Sequence, residues 1–182
     1  KMHLVPFGEY VPFKKFLFFV DKLVTAIGEV IPGQTYTVMP FQDAPFSSVI
    51  CFEIIFPNLV RKFVDSGARF LVTITNDAWY GRSAAPYQHF AMATFRAVEN
   101  RTAIARAANT GVSGFIDPVG RILAQSDIFV EDAMVYDIPV RTTTTFYTQY
   151  GDIFVVGCLL LAILWTGKAW YNSRRSLVKH DE

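Results

Sequence analysis

Two kinds of apolar run organise this chain. Short β-rich runs, SSVICFEI and RFLVTITN, predict buried strands. A helical pattern follows each of them, PNLVRKFVDSG after the first and PYQHFAMATFRAVENRTAIARA after the second. Pro57 and Pro86 suit first helical turns, where the missing N–H would have no intrahelical partner, and Gly67 suits a helix end. GVSGFIDPVGRILA predicts two short strands joined through DPVG, and AMVYDIPV predicts a later strand. Strands alternating with helices make an α/β domain of packed sheet and helix layers. From Phe13 to Phe46 the pattern is less regular: FKKFLFFVDKLV has helical character and IPGQTYTVMPFQDAP reads as loop.

The second kind of run is uncharged and continuous, IFVVGCLLLAILWTG from Ile153 to Gly167, with Phe146, Tyr147, Tyr150, Trp165, Trp170 and Tyr171 at or near its ends. Alone it is short of the roughly 20 residues that span a bilayer as a helix. Taken as 146–171, with Asp152 near one interface and Lys168 snorkelling, it reaches that length. Lys168, Arg174, Arg175 and Lys179 follow the run, whereas only Arg141 closely precedes it. The positive-inside rule therefore makes 172–182 a basic cytoplasmic tail and puts 1–145 on the outer side. In a bacterium that is the inner (cytoplasmic) membrane with the domain facing the periplasm.

Composition agrees with a membrane segment attached to one domain. Of 182 residues, 52% are hydrophobic and 18% charged, more apolar than a typical soluble domain. The 17 basic and 16 acidic side chains nearly cancel, and no basic stripe interleaved with aromatics occurs, so nucleic acid is not an expected partner. His3, His89 and His180 lack metal-ligand spacing, and no CxxC or HExxH occurs, so no metal is expected. Cys51 and Cys158 lie in unlike settings and are not expected to pair. KMHLVPFGEYVP has none of the regions of a signal peptide and reads as the middle of a folded segment, so part of any site is expected upstream.

Cys51 ends the apolar strand SSVI and precedes a helix opened by Pro57. A nucleophile on such a strand-to-helix turn stands at the sheet edge, with backbone N–H groups nearby to hold an oxyanion. Read locally, a cysteine at a strand end is more often a small buried hydrophobe. A thiol needs a base or cation to become thiolate, and no histidine is near it in sequence. Lys1, Glu9 and Glu53 are the alternatives, a lysine to hold thiolate and oxyanion, a carboxylate to move the proton. Local pattern also allows Lys1 as a solvated residue, Glu9 as a turn acid and Glu53 as the partner of an arginine.

Five motifs bear on this choice. KMHLVPFGEYVP, ICFEIIFP, TNDAWYG, RAVENR and RAANTGVSGFIDPVGRI occur in the order of the apolipoprotein N-acyltransferase family, a membrane-embedded branch of the nitrilase superfamily. The chain resembles the C-terminal part of such proteins over nearly its whole length. The resemblance implies part of a nitrilase-like α-β-β-α sandwich followed by a C-terminal transmembrane helix. It also implies a Glu-Lys-Cys triad in which Lys1 takes the lysine place, Cys51 is the nucleophile, and the glutamate lies upstream. Glu9 and Glu53 match carboxylates that support the site, and the Phe52 N–H with Lys1 would form the oxyanion hole. Phe52 stands where many members carry tyrosine, so a hydroxyl-dependent role is lost. Trp79, in TNDAWYG, falls in a loop near the substrate entrance, while Arg96, Glu99 and Arg101 sit at ion-pair spacings and read as scaffold.

The implied activity is acyl transfer from a membrane phospholipid, through a Cys51 thioester, to the amino group of a diacylglyceryl-cysteine lipoprotein. The partners are then the phospholipid donor, the diacylated lipoprotein acceptor and the lipid bilayer, with no cofactor. A membrane-anchored nitrilase-type amidohydrolase, using water as acceptor, is the alternative enzyme. A non-catalytic anchored module with a buried Cys51 is the alternative from outside enzymology.

Overall fold

The computed structural model describes residues 1–6, 8–10 and 30–178, with side chains as far as Trp170. The helical pattern FKKFLFFVDKLV lies outside the described residues. The chain divides into two compact units, Lys1–Gln149 and Tyr150–Glu182.

The first unit is built on one five-stranded sheet in the order β1 (Phe46–Ile50), β2 (Phe70–Asn76), β3 (Ile104–Asn109), β4 (Gly114–Ile116), β5 (Ile122–Gln125). The first three strands are parallel, with Val49 beside Thr73 and Thr73 beside Arg106. β4 and β5 continue the sheet antiparallel. Parallel neighbours need crossovers, which α1 (Pro57–Asp65) and α2 (Ala85–Asn100) supply. Val60, Phe63 and Val64 on α1 and Phe90, Ala93 and Ala97 on α2 recur at helical spacing. They bury one apolar stripe each against Val49, Leu71, Ile104 and Ile116 of the sheet. On the opposite face, Ile74 remains 45% exposed. The unit thus supplies one sheet and one helix layer, two of the four layers of an α-β-β-α sandwich.

Three sequence expectations change. The first strand stops at Ile50, and Cys51–Ile55 is a tight 3-10 turn. α2 ends at Asn100, with Arg101 left-handed at φ 49, and the residues read as its continuation form β3. Alanine and arginine favour helix there, but Ile104 and Arg106 are buried at strand period and the ladder to β2 wins. AMVYDIPV forms no strand. Its Val135 is 97% exposed and Pro139 has no N–H to donate, so it lacks both the burial and the ladder a strand needs. The predicted β4–β5 hairpin is present, its DPVG turn closed by Asp117 Oδ1 accepting from Val119 N at 2.9 Å and Arg121 N at 2.8 Å.

The first unit ends within the short α3 (Phe146–Tyr150); after it comes Gly151, at φ 64, and the second unit carries α4 (Ile153–Val178). The long helix therefore starts later and runs further than the 146–171 read from sequence. Its segment Ile153–Trp170 has mean hydropathy 1.9 and no buried residue, long and apolar enough to cross a membrane.

Candidate active site

The end of β1 places Cys51 at φ 55, a left-handed conformation that costs a non-glycine residue about 1–3 kcal/mol. Neighbouring bonds hold it there. Glu53, fully buried two residues on, accepts from Ile50 N at 2.8 Å, and its other oxygen accepts from Met2 N at 2.6 Å and His3 N at 3.0 Å. One carboxylate thus ties the residue before Cys51 to the residues after Lys1. Its charge is met by three backbone N–H groups, an arrangement that holds it in place as a bracket.

Lys1, with its side chain 9% exposed, donates from Nζ to Glu9 Oε1 at 2.5 Å. Glu9 Oε2 accepts from Val5 N at 2.8 Å. Partial burial pushes the Glu9 carboxyl up, but the bonds from Lys1 and Val5 and the Lys1 charge outweigh it, holding the group below its ordinary value. Glu9, Cys51, Phe52 and Trp79 line one cavity of about 420 Å³, together with Val5, Pro6, Asn76 and Tyr80. That volume suits a small or chain-like ligand, and its walls are mostly apolar. Trp79, on a 3-10 turn Ala78–Tyr80, is 86% exposed at this cavity. Of the residues singled out from sequence, Cys51, Phe52, Glu9 and Trp79 therefore meet at the cavity. Lys1 joins through Glu9, and Glu53 stands behind.

Four residues near Cys51 escaped the sequence reading. Tyr80 lines the same cavity, and burial, with Cys51 and Asp77 close by, pushes its hydroxyl above its ordinary value. Beneath the turn, His89 Nε2 donates to the Cys51 carbonyl at 3.2 Å, while its Nδ1 lies 2.9 Å from Asp77 Oδ1. Arg106 Nη2 donates to Asp77 Oδ2 at 2.8 Å and Arg106 Nε to Val112 O at 3.1 Å. Burial pushes the Asp77 carboxyl up, but the His89 bond, the Arg106 and His89 charges and the Thr75 hydroxyl lower it below its ordinary value. Arg106 loses basicity to burial despite Asp77. Arg96, also buried, reaches the carbonyl of Ile55 at 3.3 Å and Glu99 at 2.7 Å, the scaffold role its spacing predicts.

An α/β domain that presents a cysteine on a left-handed strand-to-turn junction, beside a lysine-bound carboxylate, has the architecture of a thiol-nucleophile enzyme. The chain belongs to the carbon-nitrogen hydrolase family, whose model matches residues 1–147. It is 45% identical over 181 residues to the apolipoprotein N-acyltransferase of Geobacter metallireducens, covering 100% of this chain and 34% of that relative. It is 41% identical over 170 residues to the protein of the same name from Chlorobaculum tepidum, covering 89% of this chain and 32% of the relative. The chain thus spans about a third of the length of the curated relatives it matches. Among solved structures, Saccharomyces cerevisiae Nit3, a member of branch 10 of the nitrilase superfamily, is 22% identical, with TM-score 0.47 over 55% of this chain and 40% of that one. The names of the curated relatives do not favour the amidohydrolase alternative.

Proposed function

We propose that this chain carries the thiol centre of an apolipoprotein N-acyltransferase, with Cys51 as the acyl-accepting nucleophile. The observation that carries the reading is a strained cysteine at an apolar cavity whose wall includes a lysine-held carboxylate. In the first half-reaction the Cys51 thiol gives its proton to the triad glutamate, which the reading places upstream of Lys1. The sulfur then attacks the ester carbonyl of a membrane phospholipid and the C–S bond forms. The resulting oxyanion is held by the Lys1 ammonium and the Phe52 N–H. Its collapse breaks the ester C–O bond, and the lysophospholipid alkoxide leaves with the glutamate's proton. In the second half-reaction the α-amino group of a diacylglyceryl-cysteine attacks the thioester and passes a proton to the same glutamate. The amide C–N bond forms as the C–S bond breaks, returning Cys51.

Both substrates are lipid-bound, so a spanning α4 would hold the centre in the plane in which they diffuse. Lys168, Arg174, Arg175 and Lys179 favour a cytoplasmic C-terminus, with the sheet domain on the periplasmic side. The test is N-acylation of a diacylated lipoprotein peptide by the intact protein in phospholipid vesicles, followed by mass. Cys51→Ala is expected to abolish the acyl addition. Full addition by that variant, or wild-type protein that only hydrolyses the phospholipid, contradicts the reading.

A further inference from the structure

We propose that His89 is a positioning residue that aims the Phe52 N–H at the reacting oxygen by holding the other end of the same peptide unit. The inference rests on the reading of Cys51 as nucleophile and Phe52 N–H as oxyanion donor. A trans peptide is planar, and its C=O and N–H point in opposite directions. The carbonyl of Cys51 and the N–H of Phe52 belong to one such unit. A carbonyl oxygen only accepts, so His89 Nε2 carries the proton of the 3.2 Å bond to Cys51 O. Fixing that carbonyl toward α2 fixes the Phe52 N–H away from it. As one of the first N–H groups of the 3-10 turn, it has no acceptor within the turn and is available to a ligand.

The clamp is built to be rigid. His89, Asp77 and Arg106 are 5%, 1% and 4% exposed, which is costly for three ionisable groups unless their bonds are made. Asp77 accepts from Arg106 Nη2 through one oxygen and lies 2.9 Å from His89 Nδ1 through the other, and the same Arg106 Nη2 lies 3.1 Å from that Nδ1. The Tyr80 ring meets the imidazole edge-on with centroids 6.0 Å apart. The loop after β3 closes over the carboxylate so tightly that a Cβ at Gly111 would sit 2.7 Å from Asp77 Cβ. Cys51 is left-handed, so its peptide does not rest in a broad backbone minimum, and the clamp supplies the constraint the local backbone lacks.

An oxyanion donor matters only to reactions that make an oxyanion. Acylation of Cys51 by p-nitrophenyl butyrate passes through a tetrahedral oxyanion, whereas alkylation by iodoacetamide is a direct displacement at carbon. Both rates are measured at Cys51 in the intact protein, by mass, for wild type, His89→Ala and His89→Gln. Alkylation is followed across pH so that any change in thiolate fraction is separated from reactivity. Loss of a whole oxyanion donor costs about 100- to 1,000-fold, so loss of its aim in His89→Ala is expected to slow acylation about 10- to 100-fold. Alkylation by the same variant should stay within about twofold, and His89→Gln, whose amide still donates, should recover part of the acylation rate. Acylation and alkylation falling together, or neither falling, overturns the positioning role. Wild-type protein that takes up no butyryl group at Cys51 overturns the underlying reading instead, and is recognised before any variant is compared.

Discussion

Replacing the buried carboxylate of Glu53 by its amide tests the bracket that joins Lys1 to the Cys51 turn. Glu53 is fully buried and accepts three backbone N–H bonds, one from Ile50 on one oxygen, and those from Met2 and His3 on the other. In Glu53→Gln one end of the group becomes a donor facing donors. Turned toward Met2 and His3 it orphans two N–H groups; turned toward Ile50 it orphans one, so the second orientation is the cheaper. One buried unsatisfied donor costs about 1–3 kcal/mol, and the two remaining bonds weaken as they lose the charge. The sum is about 2–4 kcal/mol, which for a domain of this size lowers the melting temperature by roughly 4–16 °C. The assay is thermal unfolding of the sheet domain in the intact detergent-solubilised protein, paired with the rate of Cys51 acylation. Because the orphaned N–H precedes Cys51 directly, acylation should fall with stability. A Glu53→Gln melting temperature within about 1 °C of wild type, with unchanged acylation, would refute the bracket.

The other predictions concern neighbouring bonds. Glu9→Gln removes the charge that holds the Lys1 ammonium against this cavity-lining residue, and should slow Cys51 acylation by about 100-fold, as read by single-turnover mass spectrometry, while leaving melting within a few degrees. Gly111→Ala drives a methyl group into Asp77; overpacking of this kind costs about 1–3 kcal/mol, and a denaturant midpoint equal to wild type would contradict it. The Asp77 carboxyl sits below its ordinary value of 3.8, so its contribution is fully present above that pH and is lost as pH falls through the lower folded value. Melting temperature followed between about pH 5 and pH 2 should drop in wild type and lose this component in Asp77→Asn.

What the sequence reveals depends on how locally each feature is written. The helix start at Pro57 and the hairpin through DPVG are set by neighbours within a few positions, and they stand as read. β3 misleads because IARAAN is rich in helix formers, and its strand character comes from pairing with β2 about 30 residues earlier, which no local pattern contains. The same distance hides the clamp. His89 and Arg106 lie 12 and 29 residues from Asp77, and each looks unremarkable where it stands, His89 without a ligand spacing and Arg106 inside an expected helix. Glu53 stands out in sequence as a carboxylate beside Cys51, but its bracket does not, since its partners Met2 and His3 are 51 and 50 residues away. Trp79 was visible through its motif, whereas Tyr80 beside it gains meaning only from the cavity both residues line.

If Cys51 carries the acyl group, the thioester can be trapped on it. The intact protein is incubated with phospholipid vesicles in the absence of any lipoprotein acceptor, quenched in acid, digested and analysed by mass. One fatty acyl mass is expected on the peptide containing Cys51, removed by neutral hydroxylamine and lost when a diacylated lipoprotein peptide is added before the quench. An acyl group on another residue, or full transfer to the acceptor with no acylated Cys51 at any time, would rule out Cys51 as the acyl carrier.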